Sequence, residues 1–403
     1  MDIGIGLSTE RDPVIAAKKA IYLAKTKLGK ENVDLAIVFS SIEFASVNLL
    51  QTIAAYLEED TALIGASGAA IISNQGIFKH AVAVMLLAFS EGVYFNAASV
   101  KEIKKRTPLN AGRELGEKLL YGFKDVRRVF SVIFSDGLIE GGSNFIYGLQ
   151  EMLGRSFPLV GASASDNLRF LKTYVFSNQE AFDDGACGIL CGGRLNFGLG
   201  IRHGWKPLGK PRTVTKCYGN VIYEIDNLAA VKIYEEYLAR KAADLQKDLK
   251  RISILYPIGM YLAGEEEYLL RNVSSIGEDG SLRLHGNIIE GSLIRLMIGT
   301  KESCLEATRQ ASEEAKKGLE SAAVGFRKEQ MKNFALVFDS VSRYILLRRQ
   351  APKELEILKQ TLGEETPILG LYTYGEQAPL QAISYEGQTY LHNQTIAVLT
   401  IGG

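Results

Sequence analysis

This chain is short of several residue types. Cysteine takes four of its 403 positions, histidine four, proline nine and tryptophan one. Four cysteines in so long a chain make no disulfide framework and point to a reducing compartment. Cys187 and Cys191 flank Gly188-Ile189-Leu190, which reads as strand. Both side chains then face one way, about 13 Å apart at ~3.3 Å per residue, too far to bridge. No second Cys/His group follows at a metal-ligand spacing, so the pair reads as small buried hydrophobes, and no metal or other cofactor is expected. Net charge is also missing, with 46 Lys+Arg against 46 Asp+Glu. That excludes a general nucleic-acid binder, which needs a phosphate-facing excess of cations. The most apolar run, Ala81 to Phe89, is far short of the ~20 residues of a membrane helix. The opening Met1-Asp2-Ile3-Gly4-Ile5-Gly6 has no basic segment and does not read as a signal peptide. A cytoplasmic protein without membrane insertion is the expectation.

Glycine, by contrast, is abundant, at 40 positions. With 47% hydrophobic and 23% charged residues the chain is globular. It is too long for one ordinary core, so two domains are expected, residues 1–225 and 226–403. A pattern recurs along it. Asp34-Leu-Ala-Ile-Val-Phe39, Val129-Phe-Ser-Val-Ile-Phe134 and Phe334-Ala-Leu-Val-Phe338 are short buried-strand runs that break at Ser40-Ser41, Ser135-Asp136 and Asp339-Ser340. A helical segment follows each: Val47 to Leu57, Asn144 to Leu153 and Lys353 to Leu362. A second strand then ends at Gly65, Gly161 or Gly370. A third strand closes each unit, behind His80, Asp183-Asp184-Gly185 and His392-Asn393. One strand–helix–strand–turn–strand module thus appears three times.

Different material separates the second and third modules. Thr213 to Tyr218 and Val221 to Ile225 read as a hairpin turning at Gly219-Asn220. Ala229 to Leu249 reads as one long amphipathic helix. Ser253 to Gly259, Tyr268 to Val273 and Leu282 to His285 read as strands, and Ser303 to Gly318 as a charged helix. The fold class expected is α/β: two halves of mixed sheets built from repeated strand–helix–strand modules, with an inserted antiparallel β-rich segment.

In open α/β sheets ligands bind beyond the carboxyl ends of strands. Those ends carry Ser135, Asp136, Ser163, Ser165, Asp166, Asp339, Ser342 and Arg343, with Tyr374 and Glu376 nearby. An amino acid needs both an anion and a cation partner. Arg271 or Arg343 offers a bidentate fork to its carboxylate. Asp136, Asp166 or Glu376 offers a partner to its ammonium. The simpler reading makes Asp136 and Asp166 turn caps and gives Arg271 a local partner.

Enzyme signatures are weak. Gly161-Ala-Ser163-Ala-Ser165 has serine where a nucleophile elbow has its last glycine. His80 and His392 precede strands at matching positions and read as turn residues, while His203 beside Trp205 is less easily assigned. Gly4-Ile-Gly6 and Gly198-Leu-Gly200 lack the rest of a dinucleotide fingerprint.

The chain resembles the FIST family, sensory modules with N- and C-terminal halves. The resemblance rests on Asp34–Phe39, Ile64-Gly-Ala-Ser67, Phe134-Ser-Asp-Gly-Leu138, Val160-Gly-Ala-Ser-Ala-Ser-Asp166 and Gly200 to Gly209. In the second half it rests on Tyr256-Pro-Ile-Gly259, Leu270-Arg-Asn-Val273, Pro367 to Glu376 and His392-Asn393. It implies binding of a small ligand, an amino acid or derivative, and transfer of that state to a separate signalling protein. Ser340 stands where the family often has cysteine, so a thiol role is not carried over; Arg343 is kept. The competing reading is an enzyme acting on a small metabolite through Asp136, Asp166 or Glu376. A third is a scaffold without ligand.

Overall fold

The computed structural model describes residues 1–265, 267–323, 332–380 and 388–403. The first module runs β1 (Asp2–Ser8), α1 (Pro13–Leu28), β2 (Leu35–Ser41), α2 (Val47–Ala54), β3 (Ala62–Gly68), a hairpin β4 (Ile71–Ser73) and β5 (Gly76–Phe78), and β6 (Val82–Ala88). The second runs β7 (Val93–Lys101), α3 (Pro108–Leu120), β8 (Arg128–Ser135), α4 (Gly142–Leu153), β9 (Leu159–Ser163), hairpin β10 (Val175–Ser177) and β11 (Glu180–Phe182), and β12 (Gly185–Gly193). The third begins with β13 (Asn196–Arg202) and is then interrupted. The insert comprises β14 (Lys206–Tyr218), β15 (Val221–Ile225), β16 (Leu228–Ala229), α5 (Lys232–Leu238), α6 (Ala242–Lys247), α7 (Leu249–Leu255), β17 (Ile258–Tyr261), β18 (Tyr268–Arg271), β19 (Val273–Ile276), β20 (Leu282–Leu284) and β21 (Leu293–Ile298). The third module resumes with α8 (Lys301–Ala322), β22 (Asn333–Ser340), α9 (Val341–Leu347), α10 (Pro352–Leu362), β23 (Ile368–Thr373), hairpin β24 (Gly375–Pro379) and β25 (Thr389–His392), and β26 (Ile396–Gly402).

Three sheets share one strand order, and each is completed by another module's hairpin. The orders are β1-β6-β2-β3-β10-β11, β7-β12-β8-β9-β24-β25 and β13-β26-β22-β23-β4-β5. The first module therefore gives its hairpin to the third sheet, the second to the first, and the third to the second. Because strand β13 and hairpin β4–β5 both join the third sheet, the two sequence halves are interleaved. The insert forms a fourth, antiparallel sheet of its own.

Side-chain alternation sends one face of each of the three sheets into a shared core. Phe39, Phe134 and Phe338 occupy the same place in each sheet, opposite Ala66, Ala162 and Leu371 on the parallel neighbour. Their rings meet edge to face, Phe39 to Phe134 at 5.4 Å and Phe134 to Phe338 at 5.8 Å between centroids. The helices cover the outer faces in separate clusters.

The recurrent glycines are explained by backbone packing. A Cβ on Gly65, Gly161 or Gly370 would overlap the carbonyl oxygen of Val38, Ile133 or Val337 on the adjacent parallel strand. Gly4 and Gly6 lie directly beneath α1, and Gly198 and Gly200 beneath α8, where a Cβ would overlap carbonyls of Ala24, Ala20, Ala315 and Ala311. The two Gly-x-Gly strings therefore seat a helix on the first strand of a module.

The hairpin turning at Gly219-Asn220 is present, with Tyr218 opposite Val221. Residues 229–249 depart from expectation. They form no single helix: Ala239 takes a left-handed φ of 51°, and the Glu235 carboxylate accepts from Ala242 N (2.9 Å), starting a new helix. Ser253 lies in the next helix, α7, rather than in a strand. No described helix is long and apolar enough to cross a membrane.

Candidate functional site

The carboxyl ends of the first-pairing strands repeat closely. Ser41, Asp136 and Ser340 occupy equivalent positions, their amides donating to Ala81 O (3.0 Å), Gly185 O (2.8 Å) and Thr395 O (3.0 Å). One residue earlier the modules diverge, with Ser40, Ser135 and Asp339. Similar breaks follow on the second strand, where Ser67 and Ser163 give way to Tyr372, and on the exchanged hairpin. There Ile71 and Val175 give way to Glu376.

These third-module differences form a buried charge network. Arg343, with no exposed surface, donates from Nε to Asp339 Oδ1 (2.7 Å) and from Nη2 to Glu354 Oε1 (2.5 Å) and Thr308 Oγ1 (2.7 Å). Its remaining bonds go to His203 O and Cys304 O, both at 3.0 Å. Tyr372 Oη donates to Glu354 Oε2 (2.8 Å). Glu376 accepts from Thr373 Oγ1 (2.7 Å) and Thr395 N (3.2 Å). Two carboxylates thus share one guanidinium, and the third, Glu376, feels its charge without bonding it. Burial, then the Glu354 charge, pushes Asp339 well above the usual carboxylate range, and burial pushes Glu376 up to about 8. Asp339 Oδ2 has no hydrogen-bond partner.

The second module's end is organised differently. Gln377 Nε2 donates to Ser135 Oγ (2.9 Å), which lies 3.4 Å from Ser163 Oγ. Asp136 Oδ1 accepts from Leu138 N (3.0 Å) and from the Thr173 hydroxyl; burial raises its pKa. Its Oδ2 makes no hydrogen bond and lies 3.7 Å from Lys104 Nζ. Asp166 accepts the amides of Arg169 (2.9 Å), Phe170 (3.1 Å), Leu171 (2.9 Å) and Lys172 (3.3 Å), and the Tyr374 hydroxyl. Burial opposes its charge, but these donors hold its pKa below the usual value. Ser165 Oγ donates to Tyr372 O (2.6 Å) and accepts from Ala69 N (2.8 Å).

Arg271 and Ser342 belong to a third group, where the insert meets the third module. Asn272 Nδ2 donates to Ser342 Oγ (3.3 Å), and Asn272 N to Asn393 Oδ1 (3.2 Å). Gln394, buried and at φ 63°, donates from Nε2 to Asn272 Oδ1 (2.6 Å), Ser253 O (3.0 Å) and Ile254 O (3.1 Å). Arg271 Nη1 donates to Leu391 O (2.8 Å), one residue before His392, whose Nε2 donates to Ala378 O (2.9 Å). Burial drives the His392 pKa down to about 3, so its ring is neutral.

The structure therefore sorts the sequence-derived residues into three neighbouring groups. Asp339, Arg343 and Glu376 form one; Ser135, Asp136, Ser163, Ser165, Asp166 and Tyr374 form another; Arg271 and Ser342 form the last. Strand β24 joins the first two, because Gly375 and Glu376 pair with Ser163 and Ala162. Sequence reasoning missed Glu354, Thr308, Asn272 and Gln394. Glu354 had a legible signal: it lies four residues before Leu358, on the apolar side of its helix. His203 accepts from Trp205 N at Nδ1 (2.9 Å), which places its proton on Nε2, 3.1 Å from Glu267. An open cleft of about 410 Å³ lies at the opposite, amino ends of the strands, beside Lys27, Lys332 and Pro367. Its Asp2 is already paired with Lys30 and Lys332.

The chain is similar to several known proteins. An uncharacterised protein of Methanocaldococcus jannaschii is 25% identical over 341 residues, covering 78% of this chain and 64% of the archaeal protein. This chain therefore spans under two thirds of that relative's length. An uncharacterised protein of Mycobacterium tuberculosis is 24% identical over 413 residues, covering 99% of each. A solved structure of cyanuric acid hydrolase aligns over 99% of this chain and 98% of its own, at a TM-score of 0.37 and 8% identity. Sequence profiles of the FIST N domain and the FIST C domain match residues 34–228 and 230–379. FIST domains are sensory modules that bind small ligands. With both domains matched in order along most of its length, the chain belongs to the FIST family.

Proposed function

We propose that this protein senses a small polar ligand, amino-acid-like in character, at the strand ends of its third module, and that a separate signalling protein reads the bound state. The observation that carries this is the local break in the repeat. Two modules place serine or an aliphatic residue where the third places Asp339, Tyr372 and Glu376, all buried. Burying two carboxylates on one guanidinium with a third carboxyl group nearby is costly, and better-packed apolar residues serve stability at least as well. A ligand ammonium would find Asp339 or Glu376 as its partner, the carboxyl releasing its proton to solvent as the cation binds. Binding there would shift 161–166 and 372–376 together, because Tyr374 and Ser165 already tie the two segments. We place this sensor in the cytoplasm.

A thermal-shift screen with amino acids and their derivatives tests the reading. A ligand at a hundredfold excess over Kd stabilises the fold by ~2.7 kcal/mol. If no compound shifts the transition, the sensor reading is wrong. The second reading, an enzyme, is favoured by Asp136, a buried acid whose pKa burial raises and whose Oδ2 makes no hydrogen bond, one residue after Ser135. Turnover of a bound compound, lost in Asp136→Asn, would select it.

A further inference from the structure

We propose that Arg271 is the carboxylate subsite of this ligand site, meeting one oxygen of the ligand end-on through Nη2; this rests on the sensor reading above. A guanidinium carries five N–H donors in a fixed fork. In Arg271, Nε donates to Asn287 O (2.8 Å), and Nη1 to Leu270 O (3.0 Å) and Leu391 O (2.8 Å). Among the described residues no acceptor meets Nη2, and no carboxylate lies within ion-pair distance of the guanidinium. Yet Arg271 is only 2% exposed. Burial lowers its pKa to about 10, which still leaves it charged at neutral pH. Buried charges are ordinarily paired, and Arg343 in the adjacent network has two carboxylate partners. Among the described residues Arg271 has carbonyls alone.

The surroundings are built to hold this cation still. Gly286, at φ 111°, leaves room for it, since a Cβ there would lie 2.9 Å from the guanidinium carbon. The nearby His392 is neutral and brings no competing charge. The subsite is also wired to the site. Leu391, whose carbonyl holds Nη1, adjoins His392, which stands opposite Glu376 in the β24–β25 ladder. Asn272, the next residue, reaches Ser342 and Gln394. Gln394 Oε1 is buried without a hydrogen-bond partner, a further acceptor for a ligand N–H. Three donors are committed to carbonyls, so the contact is single-pronged, unlike the two-pronged fork the sequence suggested.

The test compares the common L-amino acids with their C-terminal amides, and acetate, by calorimetry on the full chain in chloride-free buffer. Removing one partner of a buried charge pair typically costs 2–5 kcal/mol, so the acid should bind about 100-fold more tightly than its amide. Arg271→Lys should keep part of the affinity and Arg271→Gln should lose it. An amide that binds as well as its acid removes the subsite while leaving the sensor reading intact. So does unchanged affinity in a folded Arg271 variant. If none of these compounds binds, the sensor reading and the subsite fall together. Should the variants not fold, the acid–amide comparison on the unaltered protein still decides.

Discussion

Glu376 stands directly opposite Ala162, in the same register that places Val175 opposite Ala66 and Ile71 opposite Leu371. A carboxyl group thus occupies, in one sheet of three, a position that faces the shared core. The two other modules show that the fold needs only a methyl-bearing side chain there. Glu376 is an addition to the repeat, held by Thr373 and Thr395.

That position makes stability depend on pH. Folded Glu376 titrates at about 8, the unfolded residue at about 4.3. Below the unfolded value both states hold the proton and the contribution is complete. Between the two, only the folded state holds it, so stability falls as pH rises, by at most about 1.4 kcal/mol per pH unit. Chemical denaturation of the wild type between pH 5 and 8 should show this loss. In Glu376→Gln the slope should flatten, since the amide cannot ionise.

Arg343 is expected to matter for stability in a particular way. Arg343→Met leaves Asp339 and Glu354 buried without their cation and should cost about 3–5 kcal/mol in denaturant titration. Adding Asp339→Asn and Glu354→Gln to that variant should recover much of the loss. If the triple variant is no more stable than the single, lost packing of the side chain accounts for the effect.

The strand glycines should be intolerant for a reason unrelated to ligand. Gly161→Ala forces a methyl onto the Ile133 carbonyl and should cost at least about 3 kcal/mol. Gly122→Ala, at φ 81° but with nothing within 4 Å of its Cβ, should cost about 1 kcal/mol. Equal effects at the two sites would contradict the packing account.

Thiol reactivity should single out one cysteine. Burial pushes Cys187, Cys191 and Cys304 up to about 12, while the less buried Cys217 is raised by a smaller burial and by Glu290. Iodoacetamide at neutral pH, followed by peptide mass spectrometry, should label Cys217 first. Labelling of Cys187 in the native protein would show that the shared core opens.

The three strand ends, the helices after them and the Gly219-Asn220 hairpin were all legible in the sequence. Each leaves a local imprint: an apolar run, a helical spacing, a turn dipeptide. The long helix expected over residues 229–249 shows the limit of such imprints. Its spacing was amphipathic, but the turn at Ala239 is set by the Glu235 side chain, whose partner amide lies seven residues on. At the candidate site, residue types were legible and partners were not. Arg271 and Arg343 look alike in sequence, yet one sits among carbonyls and the other between two carboxylates.

The surplus of glycine fell at matched places in three modules, and the sequence by itself determined that repeat. Only the tertiary structure decided what the glycines are for and how the modules combine. Periodicity encodes which face of a strand is buried, but not what is buried against it. That Gly65, Gly161 and Gly370 each meet a neighbouring carbonyl, and that each module lends its hairpin to another sheet, depends on contacts between segments far apart in the chain. The same holds for the charges: a residue's type fixes its chemistry, and packing alone fixes which of its donors stay free.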